Sequence, residues 1–200
     1  MTAATPLPPT PVLITERLVL RPLTLADAPA IQRIFPQWTV VRRLHAAIPW
    51  PYPDDGALTN VMECLEARAR GEKFYWAITL KDTPQALIGR IDLWPDDGEH
   101  QDMRGFWLDP DHQGYGLMTE AADRVTAFAF EDLGWPRLYL SNAEANRASH
   151  RIKEKQGARI IDRSPRQYME GEGIGVTWVL ERQSWLERKA GLPPSAALEV

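Results

Sequence analysis

The stretch from position 105 to position 121 reads Gly-Phe-Trp-Leu-Asp-Pro-Asp-His-Gln-Gly-Tyr-Gly-Leu-Met-Thr-Glu-Ala: an apolar strand, a tight loop and the start of a helix. Gly114 and Gly116 let the backbone turn so that several N–H groups aim into one concavity at the positive end of the helix dipole. That makes an anion site, and a diphosphate is its natural occupant. The same two glycines also fit a plain strand-to-helix turn. Two nucleotide folds are excluded by the spacing. A P-loop requires Gly-Lys-Ser/Thr after its spacer, and Leu117 stands there instead. A dinucleotide fold requires a third glycine where Thr119 stands and an acidic residue at the end of the next strand, which residues 138–141 lack.

Gln113-Gly-Tyr-Gly116 resembles the acetyl-CoA signature of the GNAT N-acetyltransferase superfamily. Gly105-Phe-Trp-Leu108 and Met118-Thr-Glu-Ala121 are similar to the corresponding run of its ribosomal-protein N-terminal acetyltransferase (RimJ/RimL-like) subgroup. So are Thr15-Glu-Arg-Leu-Val-Leu-Arg-Pro22, and Asn146-Arg-Ala-Ser149 followed by Glu154-Lys-Gln-Gly-Ala158. The resemblance implies that the loop amides of Gln113, Gly114, Tyr115, Gly116, Leu117 and Met118, with the Thr119 hydroxyl, hold the pyrophosphate of acetyl-CoA as cosubstrate. It implies a bulged strand at Trp107 and Leu108 along the pantetheine, with Asn146 as a helix cap beside it. Ser149 is then the acid that protonates the departing thiolate, although its hydroxyl could equally serve only the first helical turn.

A general base is less legible. Glu170 is the first choice, with Glu172, Glu144 and Asp92 as further carboxylates; Asp92, ending a hairpin strand, is also placed with the acceptor. His45, Trp50 and Tyr52, in a proline-stiffened loop, match acceptor-facing positions of the family. The last turn departs from the subgroup, reading Gly173-Ile-Gly175-Val-Thr where a Tyr-His-Asp-like cluster is usual. The expected activity is acetyl transfer to a primary amine, with a protein or peptide α-amino group first. A small-molecule amine, or a non-turnover acyl-CoA-binding module, is the alternative. Lone His100, His112 and His150 show no metal spacing, and Cys64 reads as inert core, so no metal and no acyl-cysteine are expected.

The elements that must position these groups follow from periodicity. Strands are expected over 14–21, 74–80, 86–93, 103–108, 137–141, 159–166 and 175–182. Helices are expected from a Thr24 cap to Pro36, over 54–70 with Leu58, Val61, Met62, Leu65 and Ala69 facing inward, from the glycine loop to Leu133, and over 148–155. The fold class is α/β: the GNAT resemblance implies a mixed, mostly antiparallel seven-stranded sheet with a central splay and about four helices on both faces. Residues 1–11, with four prolines, read as a flexible lead-in; 12–190 form a single domain and 191–200 a disordered tail.

The chain has 200 residues, 44% of them hydrophobic and 25% charged, enough for one real core. A net charge of −4 without a basic run argues against nucleic acid. One cysteine forms no internal disulfide, and no window suits a membrane span or signal peptide, so a cytoplasmic, soluble protein is expected. A homodimer is compatible with the sequence and not required by it.

Overall fold

A computed structural model describes residues 6–98 and 102–191. Two antiparallel sheets form its centre. The first has the order β1-β2-β3-β4-β5, with β1 at Leu13–Ile14, β2 at Leu18–Pro22, β3 at Phe74–Leu80, β4 at Thr83–Leu93 and β5 at Arg104–Leu108. The second has the order β6-β8-β7, with β6 at Arg137–Ala143, β7 at Arg159–Tyr168 and β8 at Gly171–Glu181. Helices are α1 (Ala28–Ile34), α2 (Trp38–Val41), α3 (Gly56–Ala69), α4 (Leu117–Ala127), α5 (Arg147–Gln156) and α6 (Arg182–Lys189).

The expected class holds, and the differences have local causes. The first strand splits in two because the Thr15 hydroxyl accepts from Leu18 N–H at 2.9 Å, closing a turn at Thr15–Arg17. The single sheet resolves into five plus three strands. Its edges, β5 and β6, adjoin where Met103 N–H donates to Tyr139 C=O at 2.8 Å, and no strand pairing joins β5 to β6 among the described residues. This is the splay. β5 pairs with β4 in unbroken register from Gly89↔Leu108 to Leu93↔Arg104, so the bulge expected at Trp107–Leu108 is absent; the irregularity falls between β3 and β4, where Ile78, Thr79 and Leu80 face Gly89, Leu87 and Thr83 and the extra residues are on β4.

One core, around Trp76, Phe74, Phe128 and Phe130, fills the space under α4. A second, around Ile31, Ile34, Val61, Cys64 and Trp107, lies under α1 and α3. In α3 the buried face is Ala57, Val61, Cys64 and Ala67, while Leu58 and Met62 are exposed. Small side chains let the helix approach the sheet, and Arg68 bonds Leu23 C=O at 2.7 Å, which turns the helix away from the expected face. The helix after the glycine loop runs regularly only to Ala127 and ends in a π turn, Phe128–Asp132. The lead-in is not free from Leu7 onward: Leu7 N–H donates to Gly71 C=O at 2.9 Å and the Trp76 indole donates to Pro11 C=O at 2.7 Å. His100 and residues 192–200 lie outside the described residues. No helix among those described is long and apolar enough to cross a membrane.

Candidate active site

The glycine loop sits beside the splay. Gly114 and Gly116 both adopt left-handed backbone (φ 87° and 78°), and Gly116 is the N-cap of α4. Nothing lies within 4 Å of where a Gly114 Cβ would be, and at Gly116 only the Arg17 guanidinium comes near, at 3.6 Å. From Gly114 to Thr119 no backbone N–H finds a backbone acceptor among the described residues. Six consecutive donors, a helix N-terminus and a nearby guanidinium are what a diphosphate requires.

The loop is anchored from both sides. The Gln113 side chain donates to Leu108 C=O at 2.9 Å, tying the loop to the end of β5. In the first turn of α4, Glu120 accepts from the Thr15 hydroxyl (2.6 Å), Arg17 N–H (2.8 Å) and Arg17 Nε (2.7 Å), while Arg17 Nη1 donates to Tyr115 C=O (2.9 Å). Two sequence blocks about a hundred residues apart therefore meet in one clamp. Burial opposes the Glu120 charge, but its hydrogen bonds to Thr15 and Arg17 and the Arg17 charge together hold the carboxyl below its ordinary value.

Across the splay, the Asn146 side chain caps α5 by accepting Ser149 N–H at 3.2 Å. Ser149 is 6% exposed, and its hydroxyl accepts from Lys153 Nζ at 2.8 Å. Behind them lies a buried polar cluster: Arg104 donates to the Thr126 hydroxyl (2.6 Å) and to Gln156 Oε1 (2.8 Å). Burial lowers Arg104 to about 10 and Lys153 to about 7, the second also through repulsion from Arg104. Neither residue was among the sequence candidates. The available signal was spacing, since Lys153 follows Ser149 by one helical turn.

On the opposite face of β4 and β5 a cavity of about 520 Å³ is lined by Phe35, Tyr52, Arg90 and Trp107, with Asp55 and Glu63 among its acidic walls. Tyr52 and Trp107 each meet Phe35 edge-on at 5.5 Å. Trp50 instead packs on Trp38 and is 47% exposed, and exposed His45 forms a backbone bridge to Tyr168. Asp92 is not in the cavity wall. It is buried and paired with Arg90 at 2.8 Å, where burial raises its carboxyl against the pull of the guanidinium.

The carboxylates proposed as bases are engaged elsewhere. Glu170, at the β7–β8 turn, lies between Arg42 (3.9 Å) and Arg43 (3.5 Å) and is a counter-ion to both. Glu172 accepts from Gln167 at 3.0 Å and Glu144 from Arg163 at 3.2 Å, both exposed to water or nearly so. Cys64 is buried, and burial first of all raises its thiol to about 11, which keeps it unreactive.

The family model described as "Acetyltransferase (GNAT) domain" matches residues 17–159. Among curated proteins, "Uncharacterized N-acetyltransferase YoaA" of Bacillus subtilis (strain 168) is 29% identical over 148 residues, covering 74% of this chain and 82% of its own length. Solved structures of the same fold include a ribosomal-protein-S5-alanine acetyltransferase from Vibrio fischeri (TM-score 0.73, 15% identity, covering 88% of this chain and 98% of that one). Another is RimL, a ribosomal L7/L12 α-N-protein acetyltransferase in complex with coenzyme A (TM-score 0.71, 14% identity, covering 86% and 98%).

Proposed function

The chain belongs to the GNAT acetyltransferase family, and from that premise we propose that it moves an acetyl group from acetyl-CoA directly to a primary amine, first of all the α-amino group of a protein or peptide. The observation that carries this reading is the row of N–H groups from Gly114 to Thr119 that have no backbone acceptor among the described residues, opening beside the edges of β5 and β6 that do not pair with each other among those residues. When bound, acetyl-CoA supplies the activated acyl group. The loop amides and Arg17 hold its diphosphate, and Leu117 and Met118, buried under the loop, keep that surface rigid. The free edge of β5, ending at Trp107 and Leu108, offers backbone groups to the pantetheine, with Asn146 across the splay. Ser149 donates its hydroxyl proton to the departing sulfur.

The acceptor enters from the cavity side. Its aromatic wall of Phe35, Tyr52 and Trp107 excludes water from the amine's approach, and Asp55 and Glu63 favour a cation at the entrance. With Glu170, Glu172 and Glu144 all engaged elsewhere, the ammonium proton is lost to water. Support for a peptide over a small amine comes from the motif resemblance and from the ribosomal-protein acetyltransferases among the proteins of the same fold. Thiol release from acetyl-CoA, followed with a panel of peptides and small amines, tests the proposal. Release with peptides bearing a free N-terminus, and none once that N-terminus is blocked, is the expected result. Cofactor binding with no release from any acceptor overturns it in favour of a binding module.

A further inference from the structure

Lys153 lies one turn after Ser149 on α5, is 2% exposed, and places Nζ 2.8 Å from the Ser149 hydroxyl oxygen. Among the described residues no carboxylate comes within ion-pairing distance of it. Its other close neighbour is the Phe106 ring on β5, with Nζ 5.6 Å from the centroid. A buried ammonium without a countercharge costs stability, and an aliphatic side chain would fill the same space more cheaply. The hydrogen bond that remains joins it to the group placed to meet the leaving sulfur.

We propose that Lys153 supplies, through the Ser149 hydroxyl, the proton that the departing CoA sulfur takes up. This rests on the acetyltransferase reading above. As the carbon–sulfur bond breaks, the Ser149 O–H bond breaks and an S–H bond forms. A proton from the Lys153 ammonium remakes the O–H bond, leaving a neutral amine. The proton shed by the acylated nitrogen goes to water, and once the thiol product has left, water reprotonates Lys153 by the same route. Lys153 does not touch the cosubstrate and acts through Ser149.

The surroundings favour a readily given proton. Facing Nζ are Asp102, just before β5, and Arg104 on β5. Beyond Arg104 stands Asp123 of α4, and beyond Asp102 stands Tyr168 at the end of β7. Asp102 is itself bonded to the Ser141 hydroxyl of β6 at 2.7 Å. Burial and Arg104 bring Lys153 down to about 7 against a weaker opposite pull from Asp102, so the ammonium is acidic enough to yield its proton near neutral pH.

The test combines a titration that needs no turnover with a rate profile. In the complex with CoA, the ultraviolet absorbance of the thiolate is followed against pH for the wild type, Lys153→Met and Ser149→Ala. A positive charge coupled to the sulfur should make the wild-type thiol ionise about one pH unit or more below that of either variant. With peptide acceptors, wild-type kcat should fall as pH rises through the Lys153 ionisation, whereas Lys153→Met should lose about tenfold or more of kcat and show no such fall. The double variant should be no slower than Ser149→Ala alone. A thiol titrating identically in wild type and Lys153→Met overturns the relay, even if acetyl transfer is confirmed. A shifted titration with no acceptor turned over upholds the coupling and instead overturns the proposed function. If Lys153→Met fails to fold, Lys153→Gln, which keeps a donor for the Ser149 hydroxyl but no charge, carries the same titration.

Discussion

Glu120→Gln removes one charge from the clamp that holds the glycine loop. The carboxylate accepts four close contacts, from the Thr15 hydroxyl and Arg17 N–H on Oε1 and from Arg17 Nε and Nη2 on Oε2. Glutamine keeps one oxygen for the first two but turns an NH₂ toward the guanidinium, so the second two are lost. A hydrogen bond to a charged group is worth about 1.5–3 kcal/mol when shielded, but the Arg17 side chain is 45% exposed, which brings the pair toward the surface range. A net cost of about 1–2 kcal/mol follows, or about 3–6 °C in Tm for a chain of this size. Freed from Glu120, Arg17 holds Tyr115 C=O less firmly, and CoA affinity should fall about 3–10-fold. The pH dependence carries a sign. The carboxyl is held below its ordinary value of 4.5, so its stabilisation is complete above that value and is lost as pH falls through the lower, folded value. The gap in Tm between wild type and variant should therefore close in acid. Calorimetry and melting on one preparation decide the matter: equal Tm values near neutral pH together with CoA affinity within about twofold would refute the clamp.

Gly116→Asp should abolish CoA binding, measured by calorimetry, while circular dichroism shows the fold kept, because a carboxylate at the left-handed N-cap meets the diphosphate directly. Ser149→Ala should lower kcat about 10²-fold with CoA affinity little changed; an active variant that merely melts earlier would leave the hydroxyl a helix-start contact. Asp92→Ala removes the carboxylate partner of half-buried Arg90, which keeps its bond to the Asn60 side chain, and should cost about 2–3 kcal/mol in denaturant unfolding. Lys153, lowered in the fold to about 7 from 10.5, binds fewer protons folded than unfolded between those values. Unfolding free energy should therefore rise with pH across that window, and Lys153→Met should flatten the slope.

Much of this was legible in the sequence where one local rule acted alone. The left-handed glycines, the Asn146 cap and the alternation of Leu18 and Leu20 each follow from a few neighbouring residues. What escaped depends on partners distant in sequence. Glu170 reads as a free carboxylate until Arg42 and Arg43 are brought to it, and Asp92 reads as cleft-facing, whereas it is Arg90 that lines the cavity and Asp92 is buried as its partner. On α3 periodicity turns the larger residues Leu58 and Met62 inward, whereas close approach to the sheet selects the small ones, Ala57, Cys64 and Ala67. Helix α6 was missed altogether: of its eight residues only Trp185 and Glu187 are buried, too few to mark a period.

The β7–β8 hairpin reaches back across the molecule to grip the segment ahead of the cavity loop. Ala46 N–H bonds Gln167 C=O at 3.3 Å, Met169 N–H bonds Leu44 C=O at 3.1 Å, and Glu170 N–H bonds Arg42 C=O at 2.9 Å. Ala47, Ile48 and Pro49, which follow directly, wall the cavity. The cavity proposed to receive the acceptor thus has a remote adjusting screw. Because these hydrogen bonds are made by main-chain groups, side chains at the hairpin tip other than Glu170, which also pairs with Arg42 and Arg43, are free to diverge without breaking them, while insertion or deletion of a residue there would shift the wall bodily. Under the proposed function, selectivity for different amines is then adjustable through changes more than a hundred positions downstream of the wall that they move.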